Sequence, residues 1–250
     1  AISEEEKEYI LEKVSYYTGV SREYLIRHGL KIDDDDYRQE VLKTKGKAVS
    51  RYDGRVTRPL LEPEQDEIKK ACEIMQKGGV ILYPTDTVWG IGCDATNEEA
   101  VKRVYEIKHR ADSKAMLVLV DSPVKVDFYV SDVPPVAWDL IEMTTKPLTI
   151  IYDGARNLAP NLLAEDGSVG IRVTNEAFSK ELCFRFRKAI VSTSANISGQ
   201  PAPAVFSEIS EEIKNAVDYV VDFRREENGH PKPSSIIKLG KGGVVKVIRE

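Results

Sequence analysis

Small hydrogen-bonding side chains crowd one stretch of this chain, residues 188–203. The apolar residues 189–191 predict a short buried strand. Five of the seven positions that follow carry a hydroxyl or amide group: Ser192, Thr193, Ser194, Asn196 and Ser198. Such groups at a strand end are suited to binding a polar ligand. They are equally suited to satisfying their own backbone in a turn, so spacing alone leaves both interpretations open.

A second polar stretch follows another predicted strand at residues 84–92. Thr85, Asp86 and Thr87 offer short oxygen ligands there. Gly90 and Gly92 would allow the backbone to approach a ligand closely. The spacing matches neither a Walker phosphate loop nor a dinucleotide-binding glycine motif. A plain turn explains this stretch as well as a binding site does.

Three cations lie within seven residues, at a predicted helix end and in the loop after it: Lys108, Arg110 and Lys114. Lysine and arginine at this density are suited to binding a polyphosphate. Cations near a helix C-terminus also complement the helix dipole, and charge alone favours that simpler explanation. His109 lies between them, and we expect it to be exposed rather than catalytic.

Arg172 interrupts the apolar strand predicted at 168–173. A half-buried arginine needs an anionic partner, which could be a protein carboxylate or a ligand. Ser234 and Ser235 precede another apolar strand, and Arg249 lies near the end of the sequence. The serines and Arg249, taken alone, are a weak indication of a site.

The residue types favour binding over covalent catalysis. The three histidines lie in polar surroundings, and the sequence contains no nucleophile elbow of the Gly-x-Ser-x-Gly type. We therefore expect an anionic substrate to be bound and oriented, with catalysis by charge stabilisation.

Helical and apolar segments alternate after residue 64, which predicts an α/β fold. Amphipathic spacing and capping patterns predict helices at 65–77, 96–108, 135–143, 157–164, 177–187 and 207–217. For the helix at 96–108, Thr96 is the predicted cap. Apolar runs predict strands at 80–83, 115–120, 148–152, 168–173, 189–191, 219–223, 234–239 and 244–248. Since open α/β sheets bind ligands at strand ends, we expect the polar stretches to meet there.

Residues 1–63 are predicted to form a small helical N-terminal extension and linker, and residues 64–250 the main domain. The short helices of the extension cannot bury much surface alone, so we expect them to dock on the main domain or a partner. The four acids at 33–36 are interpreted as a solvated loop rather than a metal site.

Composition excludes several classes of protein. The chain is 42% hydrophobic and 31% charged, as in ordinary globular proteins. A net charge of −5 gives no overall indication of nucleic-acid binding, although a local basic cleft is compatible with it. Three scattered cysteines, no signal peptide and no membrane-length apolar run predict a cytoplasmic protein without membrane association.

Together the polar stretches resemble the threonylcarbamoyl-AMP synthases, the YrdC-like family. The resemblance rests on blocks that occur in the family's order and spacing, at 83–92, 108–114, 169–173, 192–199 and 233–237. It covers about residues 64–250. It implies a twisted mixed α/β sheet flanked by helices, with a basic cleft, in a single-domain form with an N-terminal extension.

The resemblance also implies an activity. Members of the family are nucleotidyltransferases that form threonylcarbamoyl-AMP and pyrophosphate from L-threonine, bicarbonate and ATP. The product serves threonylcarbamoyladenosine formation in tRNA, so tRNA itself would be reached through a downstream transferase. ATP is then a co-substrate, accompanied by Mg²⁺, and no protein residue is assigned as a metal ligand.

Site residues are carried over from the family position by position. The resemblance implies a threonine site formed by Thr87, Arg172 and Ser192. It implies a nucleotide site formed by Lys108, Arg110, Lys114, Ser194, Asn196, Ser235 and Arg249. Of these, the catalytic charges would come from Lys108, Arg110 and Arg172.

The chain departs from the family pattern at several positions. Ala111 and Ala115 stand where prolines are usual, and Trp89 stands where tyrosine is usual. These departures keep open a diverged ATP-dependent carbamoyl-transfer enzyme as an alternative. An RNA-binding module that uses the same basic cleft is the second alternative.

Overall fold

A computed structural model describes residues 60–110, 116–240 and 244–249. The predictions for the N-terminal extension, including its helices and its acidic run, concern residues outside these ranges. Lys114, Ala111 and Ala115 also lie outside the described residues.

Six α-helices and nine strands are present in the described residues. The helices are α1 (Glu62–Gln76), α2 (Glu98–Lys108), α3 (Val124–Tyr129), α4 (Pro135–Met143), α5 (Ala177–Phe186) and α6 (Glu211–Ala216). The strands are β1 (Ile81–Tyr83), β2 (Gly90–Gly92), β3 (Leu117–Val120), β4 (Leu148–Tyr152), β5 (Val169–Val173), β6 (Ile190–Ser194), β7 (Tyr219–Val220), β8 (Ser235–Leu239) and β9 (Val245–Arg249).

Several predicted boundaries differ from those observed. Helix α3 and strand β2 were not predicted, and residues 157–164 contain only the 3₁₀ turn Pro160–Leu162. The helix predicted at 207–217 is a 3₁₀ turn followed by α6, separated at Ser210, whose side chain caps α6. Short segments of this kind are decided by tertiary packing rather than by helical propensity.

The cap predicted for α2 was also wrong. Asn97, not Thr96, accepts a hydrogen bond from the Ala100 amide at 3.1 Å. Thr96 instead donates both its amide and its hydroxyl to the Asp94 carboxylate, at 2.9 and 2.7 Å. Asparagine is as good an N-cap as threonine, so the competing carboxylate decides which residue caps the helix.

The strands form one mixed sheet in the order β7-β1-β2-β6-β3-β5-β4-β8-β9. Strands β1 and β7, β3 and β5, and β4 and β8 pair in parallel, and the other neighbours pair antiparallel. The α/β class, with helices flanking a twisted mixed sheet, is therefore confirmed. No helix in the described part of the chain is both long enough and apolar enough to cross a bilayer.

One face of this sheet is covered by the main hydrophobic core. Alternate residues of each strand point into it, for example Val118 and Val120 of β3 and Ile171 of β5. Helices α2 and α4 supply its other side, with residues such as Val104 and Leu140. We call this side of the sheet the core face.

The opposite face of the sheet is covered over only part of its width. Helices α1 and α5 pack there on Ile81, Tyr83, Leu119 and Ile190, which come from β1, β3 and β6. Gly92 belongs to this packing, because a Cβ atom at that position would lie 2.5 Å from the Tyr83 ring. The rest of this side, toward β4 and β8, carries Thr149 and Arg172 together with Ile151 and Ile236. We call it the open face.

Candidate active site

A cavity of about 260 Å³ lies over the open face. Strands β2, β3, β4, β5, β6, β8 and β9 all contribute residues to its walls. Its polar lining consists of Thr87, Arg110, Thr149, Ser168, Arg172, Ser192, Thr193, Ser194, Ser234 and Arg249. Three arginines and seven residues that carry hydroxyl groups therefore surround one space.

The cavity lies on a face of the sheet and not only at strand ends, where the sequence predicted it. Strand β6 does not stop before its polar residues but continues through Ser194, with Ser192 paired to Leu117 and Ser194 to Gly90. Because side chains two apart on a strand point the same way, Ser192 and Ser194 both reach the cavity. A turn is therefore the wrong interpretation for Ser192–Ser194.

Arg172 forms the floor of the cavity. Its side chain is 3% exposed, and its guanidinium lies against the fully buried carboxylate of Asp86. The Arg172 Nε donates to both Asp86 oxygens at 3.0 and 3.1 Å, and Nη2 lies 3.0 Å from Asp86 Oδ1. The anionic partner that Arg172 was expected to need is therefore a protein carboxylate. The Asp86 oxygens bind Arg172 rather than a ligand.

The remaining donors of Arg172 point to hydroxyl groups. Nη1 lies 3.4 Å from Thr149 Oγ1 and 3.3 Å from Ser234 Oγ, and Nη2 lies 3.3 Å from Thr87 Oγ1. The hydroxyls of Thr149 and Ser234 are themselves 2.7 Å apart. Arg172 therefore orients three hydroxyls that line the cavity.

Arg249 enters the same network from the last strand. A register irregularity between Ile236 and Ile237 pairs Ile236 with Arg249, and such bulges redirect side chains. Arg249 donates to the Ser234 carbonyl at 3.0 and 2.8 Å. Burial, and then the nearby charge of Arg172, lower the pKa of Arg249. An anion in the cavity would relieve this repulsion.

Arg110 and Lys108 are two residues apart but lie in different places. His109 caps α2 in a left-handed conformation, with φ 52°, which turns the chain sharply after the helix. Arg110 then lines the cavity, and burial lowers its pKa. His109 is 62% exposed at its side chain and lies 3.1 Å from Glu212, so the expectation of an exposed histidine is confirmed.

Lys108 is buried behind the cavity wall. Its side-chain nitrogen lies 2.5 Å from the Ser194 carbonyl, 3.5 Å from Ser194 Oγ and 3.4 Å from Asn196 Oδ1. Burial, with a smaller contribution from the charge of Arg110, lowers the pKa of Lys108 to about 8.

The structure brings together most of the residues named from the sequence. The cavity lining includes Thr87, Arg110, Arg172, Ser192, Ser194 and Arg249. Lys108, Asn196 and Ser235 are described but do not line it, and Lys114 lies outside the described residues. Ser235 pairs with Leu148 in the sheet, and the neighbouring Ser234 occupies the cavity wall.

Sequence reasoning missed Thr149 and Ser168, which also line the cavity. Thr149 is the single polar residue among the aliphatic and aromatic residues of β4, and a lone polar residue of this kind is the signal that identified Arg172 in β5. Applied to every strand, the same criterion would have found it. Ser168 directly precedes β5 and carries no comparable signal.

A second cavity of about 430 Å³ adjoins the first. Thr87 and Trp89 line both, so this short segment separates them. The Trp89 ring packs against Phe206 at 4.8 Å between centroids. Within the described ranges, no group of three or more histidine, cysteine or acidic residues could hold a metal ion.

Comparisons with known proteins agree with this fold and site. The family model named for Sua5, YciO and YrdC, described as telomere recombination, matches residues 73–250. The threonylcarbamoyl-AMP synthase of Pseudoalteromonas translucida is 33% identical over 186 residues, which cover 73% of this chain and 98% of that protein. A putative threonylcarbamoyl-AMP synthase of Methanocaldococcus jannaschii is 33% identical over 194 residues, which cover 75% of this chain and 89% of that protein.

Solved structures show the same architecture. A variant of P. abyssi Sua5 superposes with a TM-score of 0.68 at 24% identity. That match covers 76% of this chain but 57% of the Sua5 chain, so this chain corresponds to little more than half of that protein. The family match covers most of the chain described here, and the protein therefore belongs to the Sua5/YciO/YrdC family.

Proposed function

We propose that this protein is an L-threonylcarbamoyladenylate synthase. It forms threonylcarbamoyl-AMP and pyrophosphate from L-threonine, bicarbonate and ATP, and the product supplies tRNA threonylcarbamoyladenosine modification in the cytoplasm. Curated relatives at 32–33% identity carry the name threonylcarbamoyl-AMP synthase. The observation that carries the proposal is the convergence of Arg110, Arg172 and Arg249 on one hydroxyl-lined cavity.

The chemistry explains why three arginines are needed. The threonine amine and bicarbonate give a carbamate with loss of water. A carbamate oxygen then attacks the α-phosphorus of ATP, forming a new P–O bond, and the bond to pyrophosphate breaks. Both reactants are anions, so fixed cations must offset their repulsion and the charge that develops on pyrophosphate.

Within this proposal the residues have distinct roles. Arg110 and Arg249 hold the phosphates, together with the hydroxyl of Ser194. Arg172, Thr87 and Ser192 hold the threonine carboxylate and side chain. Asp86 holds Arg172 in a fixed position, and its Nη hydrogens, which contact hydroxyls in the unliganded protein, would be shared with the threonine carboxylate. Mg²⁺ accompanies ATP as its counter-ion and is assigned no protein ligand.

The direct test is threonine-dependent pyrophosphate release. Purified protein with ATP, Mg²⁺ and bicarbonate should release pyrophosphate when L-threonine is added, and much less with L-valine, which lacks the hydroxyl. Mass spectrometry should identify threonylcarbamoyl-AMP. Pyrophosphate release that is indifferent to threonine would support the diverged carbamoyl-transfer alternative.

The RNA-binding alternative makes a different prediction. It requires salt-sensitive RNA affinity that survives substitution of Ser192 and Ser194, because phosphate contacts dominate such binding. Absence of RNA affinity at low salt would exclude it.

A further inference from the structure

We infer that Lys108 is a positioning residue rather than a phosphate ligand. Its side chain holds the last residue of β6 and the loop after it, which we call the loop 194–198. Only the catalytic consequence of this inference rests on the proposed function. The contacts that support it exist in the unliganded protein.

The first observation is where Lys108 lies. It is 1% exposed and belongs to the buried side of α2, four residues after Val104 and seven after Val101. Residues at this spacing share one helix face, and both valines belong to the main core. The cavity lining includes Arg110 but not Lys108. The lysine therefore approaches the polar loop from within the protein.

The second observation is that Lys108 contacts the loop at both of its ends. Its ammonium group lies within hydrogen-bonding distance of the Ser194 carbonyl, the Ser194 hydroxyl and Asn196 Oδ1, at 2.5, 3.5 and 3.4 Å. Its own carbonyl accepts a hydrogen bond from the Ser198 amide at 2.8 Å. One residue thus links the first and last residues of the loop.

Asn196 is the second link in this arrangement. Its carbonyl oxygen faces Lys108, and its amide nitrogen donates to the Ile197 carbonyl at 3.1 Å and the Gln200 carbonyl at 2.8 Å. Both ends of the side chain are therefore engaged within the protein. The loop geometry that results fixes Ser194, whose side chain lines the cavity.

The lysine side chain fits this role chemically. An ammonium group has three donors, and three oxygens surround it here. A buried cation without such partners would be strongly unfavourable, and the burial itself accounts for the lowered pKa of Lys108. To bind a phosphate in the cavity, Nζ would have to leave these three oxygens.

The first experiment measures phosphate binding without the rest of the nucleotide. Calorimetric titration with tripolyphosphate compares wild type, K108M and R110M, since methionine keeps the aliphatic stem and removes the donors. We expect R110M to weaken binding by about tenfold or more and K108M by no more than about threefold. A loss in K108M equal to that in R110M would overturn the inference.

The second experiment tests whether Lys108 acts through Asn196. In a double-mutant cycle on kcat/KM for pyrophosphate release, K108M and N196A should be strongly non-additive, because each breaks the same link. R110M and N196A serve as the control pair and should combine multiplicatively to within about twofold. Multiplicative effects for K108M and N196A would contradict the inference.

The third experiment needs neither substrate nor activity. Amide hydrogen exchange of the unliganded protein should be faster for Ser198 and its loop in K108M, with α4 and β4 unchanged. If K108M fails to fold, N196A should show the same local acceleration and retain tripolyphosphate binding. Unchanged exchange in the loop overturns the inference, whereas absence of pyrophosphate release from wild type counts only against the proposed function.

Discussion

The two faces of the sheet are formed by the same strands, yet one packs the hydrophobic core and the other lines the cavity. On the core face, Ile171 of β5 and Ile150 of β4 are almost fully buried among aliphatic side chains. On the open face, the adjacent residues Arg172 and Thr149 are equally buried but polar, and each has named hydrogen-bond partners. Burial alone therefore does not separate structure from function in this protein.

What separates the two faces is whether polar partners are present. The core face obtains its stability from removal of apolar surface from water, which is non-directional. The open face contains a charge pair and a hydroxyl network, which stabilise only in one geometry and leave donors aimed at the cavity. Substitutions on either face should therefore change stability, but only those on the open face should also change binding and catalysis.

The largest effect is expected at the floor of the cavity. R172M leaves the Asp86 carboxylate buried without its partner and should cost about 3–5 kcal/mol of unfolding free energy, with loss of activity. Urea unfolding and pyrophosphate release measure the two effects. The double variant R172M/D86N should recover most of the stability but none of the activity. A recovery of activity would show that Arg172 has no role beyond pairing with Asp86.

The second prediction concerns Arg110, which lies in the wall of the cavity rather than at its floor. R110A should weaken ATP binding by about 2–4 kcal/mol, because the lost contact to phosphate is charge-assisted and partly desolvated. Calorimetry measures the affinity, and thermal unfolding should be little changed. Unaltered ATP affinity would show that Arg110 only complements the end of α2.

The buried Lys108 should make the stability of the protein depend on pH. Its pKa in the folded protein is about 8, below the ordinary 10.5, so between these values the unfolded chain binds more protons than the folded one. Stability from this group should therefore rise with pH above 8 and be constant below it. Relative to K108M, wild type should gain about 2 kcal/mol between about pH 7.5 and 9.5 in urea unfolding. A flat difference across this range would contradict the lowered pKa.

The smallest effects come from adjacent residues on opposite faces of β4. I150V should cost about 1 kcal/mol of stability by removing a methylene group from the core, and leave kcat/KM unchanged. T149V should cost a similar amount by removing its hydrogen bonds to Ser234 and Arg172, and should lower kcat/KM about tenfold. Equal effects of the two variants on catalysis would remove the distinction between the faces.

Much of the fold follows from the sequence, as particular elements show. Helix α4 and strand β4 have the predicted boundaries, since a 3.6-residue period and a continuous apolar run are local signals. Strand β2 was missed because it is three residues long with two glycines, and only pairing with β1 and β6 makes it a strand. The cap of α2 was assigned to the wrong residue because Asp94 competes for Thr96.

The α/β class and most of the polar residues that lie at the cavity can be predicted from the amino-acid sequence. Side-chain period and residue type are local properties that single out Arg172, Ser192 and Ser194 as candidates, and the family resemblance then assigns them to a site. Two features depend on the folded chain. Arg172 is paired with Asp86, 86 residues away, and Lys108 lies behind the cavity wall while Arg110 lines the cavity. Residue spacing does not show which side chains pair across so many residues. The donors that remain directed at a ligand can therefore be identified only when the pairing of the strands is known.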